Sequence, residues 1–512
     1  MSDDHERAAG AGVAEREAVG DLPDAELRAA LDRAATMAAD YLEGVGERPV
    51  LPAIEPGAVR AQLPEDPPQN GEPMDQILDD YRRIIEPHLT HWNHPRFFSY
   101  FAITGSGPGV VAETLAAATN VNAMLWRTSP AAVELEMLVC DWLRRMLTLP
   151  EEFVGHINDT ASSSTLVALA AARHRAFPGT RTEGWVGIAR ELGGLPVIYA
   201  SEQAHSSVDK AALTIGIGTS GVRKIPCNDR YEMDAAALAQ AIEQDRAAGN
   251  HPFAVVATAG TTSTTSVDPI DAVADVCERE RLWLHVDAAY AGSAAICPEV
   301  RELMPGLERA DSIVLNPHKW LFVPVDCSVL LTRGYDELRE AFSLVAEYLR
   351  TDEDVVNPMD LGPQLGRRFR SLKLWMVIRS FGALGLQRRI RFHLELAQRA
   401  ARALEASPHY EVTAPVPFST VCFRMKGSSE TSSAEGSPSD VDALNRALVE
   451  RVNRSGEAFL APTVLDGRVV IRWAIGNLRT QESDIDETLE RLEAEAARLR
   501  GGAEEMPTGD EA

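Results

Sequence analysis

Two apolar runs constrain this chain more than any other feature. Leu282-Trp283-Leu284-His285-Val286 ends in Asp287 and a string of small residues, and Ser312-Ile313-Val314-Leu315 ends in Asn316-Pro317-His318-Lys319-Trp320. Short apolar runs closed by turn residues read as buried strands, and strands buried on both faces belong to parallel sheets covered by helices. Pro196–Ala200 and Phe253–Ala257 read the same way. Asp268-Pro269 reads as a cap and first-turn proline of a helix running to Arg281. Strands alternate with helices, so the expected class is α/β. Ligands of such sheets sit outside the carboxyl ends of the strands, which brings Asp287 and Lys319 to one edge.

Lys319 is one of five lysines, and most of the positive charge is arginine. Burial disfavours the ammonium form, so a lysine among Pro, His and Trp is a candidate imine former. His205 follows the strand at Pro196–Ala200, where an imidazole can stack on a planar ring. Asp159-Thr160-Ala161-Ser162-Ser163-Ser164-Thr165 precedes a strong helix former, and a helix start is also an anion site. Each feature alone has an ordinary reading: a loop lysine, a turn aspartate, a structural histidine, a helix cap. Together they are what pyridoxal 5'-phosphate needs: a lysine to carry it, a carboxylate for its ring nitrogen, and a phosphate site.

The chain resembles the group II pyridoxal-phosphate-dependent decarboxylases, and among them the aromatic-L-amino-acid decarboxylases. The resemblance rests on Asn316–Trp320, His285–Ser293, Gln203–Ser207, Gly366–Lys373 and Phe97–Phe101, and it spans about residues 25 to 495. Trp320 favours the aromatic branch over the glutamate branch. The resemblance implies a fold-type I enzyme: a large, mostly parallel sheet domain flanked by helices, a helical N-terminal segment and a small α+β C-terminal domain. The expected divisions are a disordered 1–20, a dimer-packing 21–105, a cofactor-binding 106–395, a small domain 396–500 and a disordered 501–512.

The resemblance also implies roles. Lys319 carries the cofactor, Asp287 binds its ring nitrogen, and His205 stacks on the ring and places the substrate carboxylate. Ala161, Ser162 and Asn316 hold the phosphate. Thr262, His318 and Ala289 complete the cofactor site, and Trp92, Tyr100, Phe101 and Ile103 shape the substrate pocket. The implied reaction converts a small-molecule substrate, an aromatic L-amino acid of the Phe, Trp or Tyr type, to its amine and carbon dioxide. The implied assembly is a homodimer.

Composition is consistent with this. The chain has 512 residues, 45% of them apolar, and 50 basic against 76 acidic residues give a net charge of −26. Such a charge disfavours nucleic-acid or anionic-membrane partners. No run of about 18 apolar residues suggests a membrane span. The six scattered cysteines show no metal-ligand spacing and read as reduced thiols of a cytoplasmic protein. A helical stripe runs from Leu27 to Tyr41, a proline-rich arm covers 47–75, and helices are expected near Met74–His88 and over Ala131–Leu147. Val421–Arg424 and Val469–Trp473 read as strands beyond a change of organisation near residue 395, with Gly427–Asp440 as a surface loop between them. A helical stripe follows from Ile485 to Leu499.

Two departures matter. The family's loop tyrosine, the proton donor to the α-carbon, has no counterpart in Thr351–Gln364, and the nearest tyrosine is Tyr348. Relatives without it can release aldehyde, ammonia and peroxide, so oxidative deamination is the alternative outcome. Catechol-specific members carry threonine where this chain has Ile103, which cannot bond a ring hydroxyl; this points away from strict DOPA use. Rival readings are decarboxylation of a non-aromatic amino acid, an aminotransferase on the same fold, and a non-catalytic cofactor-binding relative.

Overall fold

The computed structural model describes residues 20–344, 355–427 and 438–500. The segments expected to be disordered, Gly20 aside, lie outside these residues, as does Tyr348. Two compact units are distinguished, Met1–His91 and Trp92–Ala512.

In the first unit a helix covers Asp24–Gly44. The helix expected near Met74–His88 is present, but its bonding changes along its length. It is α over Met74–Asp80, π over Tyr81–Ile85 and 3-10 over Glu86–His88. Pro87 lacks an N–H and crowds the preceding turn, which accounts for the irregular end. Buried Glu86 accepts from Arg48 at 2.6 Å. The proline-rich arm holds one 3-10 turn, Arg60–Gln62.

The second unit is built on a seven-stranded sheet. Its strands are β1 (Val154–Asn158), β2 (Pro196–Ser201), β3 (Val222–Ile225), β4 (His251–Thr258), β5 (Trp283–Asp287), β6 (Ser312–Leu315) and β7 (Ser328–Thr332). The order is β1-β7-β6-β5-β4-β2-β3. All neighbours are parallel except those of β7, which runs antiparallel to β6 and β1. Val255, Val286 and Ile313 are wholly buried in the central strands. Removing such side chains from water is the main force holding sheet and helices together.

A second sheet is antiparallel, with β8 (Tyr410–Val412), β9 (Thr420–Met425), β10 (Ala461–Leu465) and β11 (Arg468–Ala474) in the order β10-β11-β9-β8. The helix Arg370–Ala406 serves both sheets. Leu374 and Val377 pack in the core of the large sheet, and Leu396, Ala400 and Leu404 in that of the small one. Residue 395 therefore lies inside a continuous element, whose kink is at Gly382 (φ 66°). Of Gly427–Asp440, residues 428–437 lie outside the described residues, and Pro438 already begins the helix Pro438–Arg454.

Asp268 is not a helix cap. The helix starts at Ile270 without a side-chain cap, and the Asp268 carboxylate instead accepts from the Met233 and Thr258 N–H groups at 2.8 and 2.7 Å. Buried backbone donors at the end of β4 claim it first. The Gly366–Lys373 motif is likewise structural in part. Buried Arg367 donates to Glu136 at 2.7 Å, to the Ile157 carbonyl at 2.6 Å and to the Ala123 carbonyl at 3.2 Å. That network ties the motif to β1. Among the described residues, no helix is long and apolar enough to cross a membrane.

Candidate active site

The register of the central strands brings their ends together. Thr258 of β4 pairs with Asp287 of β5, and Asp287 with Val314 of β6. Just past these ends lie Gly260–Thr262, Asp287–Tyr290 and the single helical turn Pro317–Trp320 that carries Lys319. From β1 the chain enters the helix Ala161–Ala176, and from β2 it reaches His205. All these segments face one cavity of about 290 Å³. Every site residue singled out from the sequence lines it: Lys319 and His318 on the helical turn with Asn316 just before it, Asp287 at the end of β5 with Ala289 beyond, His205 after β2, Ala161 and Ser162 at the helix start, Thr262 after β4, and Trp92, Tyr100, Phe101 and Ile103.

Two glycines permit this convergence. Gly260 has φ +89°, and a Cβ there would come within 2.8 Å of the Ala291 Cβ. A Cβ on Gly292 would meet Ala288 and Leu315 at 2.9 and 3.0 Å. The loops after β4, β5 and β6 are packed too closely for side chains at these points.

Burial pushes the Lys319 ammonium down to about 8, opposed by Asp287 and aided by Arg472. The exposure Lys319 retains is to the cavity it lines. Its Nζ lies 5.0 Å from the Phe101 ring centroid, within cation–π range. Burial also lowers His205, against the pull of Asp287, with Lys319 and Lys210 adding to the lowering. Its Nδ1 accepts from the Ser207 N–H at 3.1 Å, which fixes the ring orientation. Burial and the neighbouring Lys319 bring His318 to about 4, and its Nδ1 accepts from the Cys327 N–H at 3.0 Å. Both imidazoles are thus held neutral beside the lysine. Asp287 accepts from the Ala289 N–H at 3.1 Å and is 5% exposed.

The remaining wall is aromatic. Trp92 stacks on Phe97 at 4.3 Å and on Tyr100 at 5.8 Å, and Phe101 stacks on Tyr290 at 3.8 Å. Ile103 adds an aliphatic surface.

Sequence reasoning passed over Arg472, Tyr290 and Thr258, which also line the cavity. Arg472 is the most consequential. It is 5% exposed, donates to the Ser99 carbonyl at 2.8 Å, and has no hydrogen-bond partner for Nε and Nη2. A charged side chain inside the apolar run Val469–Trp473 was the available signal, since a buried cation needs a partner.

The donor set fits pyridoxal phosphate. Lys319, Asp287 and a helix start line one cavity, and the first N–H groups of a helix have no partners within it. The Asn316 amide oxygen, the Thr258 hydroxyl and two Arg472 nitrogens are buried without partners in the same cavity, polar groups that a bound ligand would satisfy. Among the described residues no group of three or more His, Cys, Asp or Glu could hold a metal ion.

The pyridoxal-dependent decarboxylase conserved domain matches residues 56–426. This chain belongs to that family. It is 41% identical over 485 residues to an aromatic-L-amino-acid decarboxylase of Sus scrofa, covering 91% of this chain and 95% of that one. It is 38% identical over 473 residues to a phenylacetaldehyde synthase of Arabidopsis thaliana, covering 90% and 94%. A solved structure of an Oryza sativa TDC with PLP and tryptamine superposes with a TM-score of 0.89 at 37% identity, covering 94% and 99%. The enzyme is a pyridoxal-phosphate-dependent decarboxylase of fold-type I α/β architecture.

Proposed function

We propose that this enzyme decarboxylates an aromatic L-amino acid, of the phenylalanine, tryptophan or tyrosine type, to the amine and carbon dioxide. The observation that carries the reading is one cavity lined both by Lys319 and Asp287 and by Trp92, Tyr100, Phe101 and Ile103. Relatives that act on aromatic amino acids support it.

Lys319 would hold the cofactor covalently, Asp287 would face its ring nitrogen, and His205 would lie against its ring. Ala161, Ser162 and Asn316 would hold the phosphate, with Thr262, Ala289 and His318 around them. When bound, the cofactor supplies the electron sink that makes loss of carbon dioxide possible. The chain's own residues do the rest. The Asp287 carboxylate keeps a positive charge favourable at the ring nitrogen. His205 and the unpaired Arg472 donors give the substrate carboxylate a fixed place, which removes orientational freedom before reaction. The aromatic wall takes the side chain and excludes water. Ile103 offers no hydrogen bond, and a ring hydroxyl buried there unpaired costs about 1–3 kcal/mol. This favours rings without a catechol.

One observation favours a second outcome. Thr351–Gln364 holds no tyrosine, residues 351–354 of it lying outside the described residues, and Pro358–Leu361 form a buried 3-10 turn pinned by Met359 N–H to the Met124 carbonyl at 3.0 Å. Without a donor to the α-carbon, oxygen would take two electrons. Amino acid, oxygen and water would then give aldehyde, carbon dioxide, ammonia and hydrogen peroxide.

A homodimer is the assembly we infer. Val111 and Leu115 are 57% and 46% exposed on the helix Gly107–Thr119, and Met137 and Leu138 are exposed on the helix Pro130–Met146. Exposed apolar side chains clustered on helices mark association surfaces. All six cysteines are unpaired, which supports a reducing, cytoplasmic setting.

The test is product analysis in air over a panel of aromatic and non-aromatic amino acids. Amine with equimolar carbon dioxide from an aromatic substrate is the expected result, and aldehyde with equimolar peroxide would establish the second outcome. Turnover of non-aromatic substrates alone would overturn the reading.

A further inference from the structure

Lys319 is followed by Trp320, which is wholly buried and does not line the cavity. Its indole lies parallel to the Tyr290 ring (4.5 Å, 4°), which in turn stacks on Phe101 of the cavity wall (3.8 Å, 12°). The indole N–H donates to His393 Nδ1 at 2.9 Å. His393 is 2% exposed, its ring is nearly parallel to the indole (8°), and its Nε2 is 3.0 Å from the Asn477 carbonyl. These partners assign the tautomer: Nδ1 accepts and Nε2 carries the hydrogen. Burial holds the ring neutral by bringing its pKa to about 4, and a proton on Nδ1 would confront the indole N–H. The same Asn477 donates through its side chain to the Trp92 and His94 carbonyls at 3.0 and 2.8 Å. Trp92 lines the cavity, as Lys319 does.

A path of hydrogen bonds, joined covalently through Asn477, thus runs from the residue after Lys319 to the segment carrying Trp92. We propose that His393 is a positioning residue of this enzyme: through Trp320 on one side and Asn477 on the other, it fixes the spacing between the turn that carries Lys319 and the segment that carries Trp92, and so the side chain the cavity admits. The inference rests on the aromatic decarboxylase reading above. His393 is buried and does not line the cavity, so its effect is transmitted and not chemical. A buried three-part relay with both ring nitrogens bonded has one low-energy arrangement, which suits it to holding a spacing.

The test uses the holoenzyme and three substitutions. His393→Leu keeps bulk but removes both bonds, His393→Gln can accept and donate in their place, and Trp320→Phe keeps a stacking ring without the indole N–H. Two readouts are taken: the circular dichroism that the bound cofactor acquires at Lys319, and the separate kcat and KM for the aromatic substrate. His393→Leu should diminish the cofactor dichroism and raise KM about tenfold, with a smaller change in kcat. His393→Gln should restore both readouts. Trp320→Phe, which removes only the indole–His393 bond, should shift both readouts in the same direction as His393→Leu, and the double variant should be no worse than His393→Leu, since that substitution already removes the bond. Leucine and glutamine variants that match the parent, or that are equally impaired, would overturn the proposal, as would additive effects. Should His393→Leu fail to fold, Trp320→Phe decides alone, and parental values in it would contradict the relay. If the parent turned over no aromatic amino acid, the functional reading would fail, while the dichroism would still test the positioning role.

Discussion

At the scale of a single side chain, the proposed chemistry centres on Lys319. It shares its cavity with one anion, Asp287, and one further cation, Arg472, and burial outweighs the first to bring it from 10.5 to about 8. Below about pH 8 the folded chain holds the same proton as the unfolded chain and bears the cost of burying it. Between about 8 and about 10.4 the unfolded chain binds more protons, so the stability of cofactor-free protein gains from this group as pH rises. The free amine is also the attaching form. The rate at which pyridoxal phosphate attaches to cofactor-free protein should therefore rise with pH and level off above about 8. Stopped-flow absorbance would follow it, and a rate still climbing steeply beyond pH 10 would contradict the burial argument. Lys319, Asp287 and His205 were legible in the sequence because each follows an apolar run, and strand ends locate ligand sites. Arg472 was not singled out, although it interrupts such a run. Its importance depends on what its guanidinium lacks, and partners become visible only in three dimensions. Asp268 was misread for the same reason, since the N–H groups it serves belong to Met233 and Thr258.

Among the elements, the strands were the most legible. Buried parallel strands leave continuous apolar runs, and Pro196–Ser201, His251–Thr258, Trp283–Asp287 and Ser312–Leu315 agree with the sequence to within a few residues. Helix irregularity was less visible. The kink at Gly382 and the passage from α to π to 3-10 before His88 depend on local bonding that periodicity does not encode. The exposed faces of Gly107–Thr119 and Pro130–Met146 carry a prediction at this scale. If Val111, Leu115, Met137 and Leu138 lie in a subunit contact, light scattering should give the mass of two chains, and Val111→Glu with Leu115→Glu should lower it toward one. A parent protein with the mass of a single chain at micromolar concentration would remove the dimer from the account.

At the scale of the whole molecule, the large sheet is a frame that holds five segments, those following β1, β2, β4, β5 and β6, around one cavity. The order of its strands sets which chemistry meets: β4, β5 and β6 are neighbours, so Thr262, Asp287 and Lys319 converge although they are far apart in the chain. The acidic net charge has no part in this, since the cavity's own charged groups are one anion, Asp287, and two cations, Lys319 and Arg472. The central claim is that this cavity binds pyridoxal phosphate through Lys319 and performs decarboxylation there. The most direct test is borohydride reduction of the holoenzyme followed by peptide mass mapping, with Lys319→Ala in parallel. The account predicts a stable cofactor adduct on the peptide containing Lys319, none in the variant, and loss of decarboxylation with it. An adduct on Lys210, Lys224, Lys373 or Lys426 instead, or undiminished decarboxylation by Lys319→Ala, would contradict it.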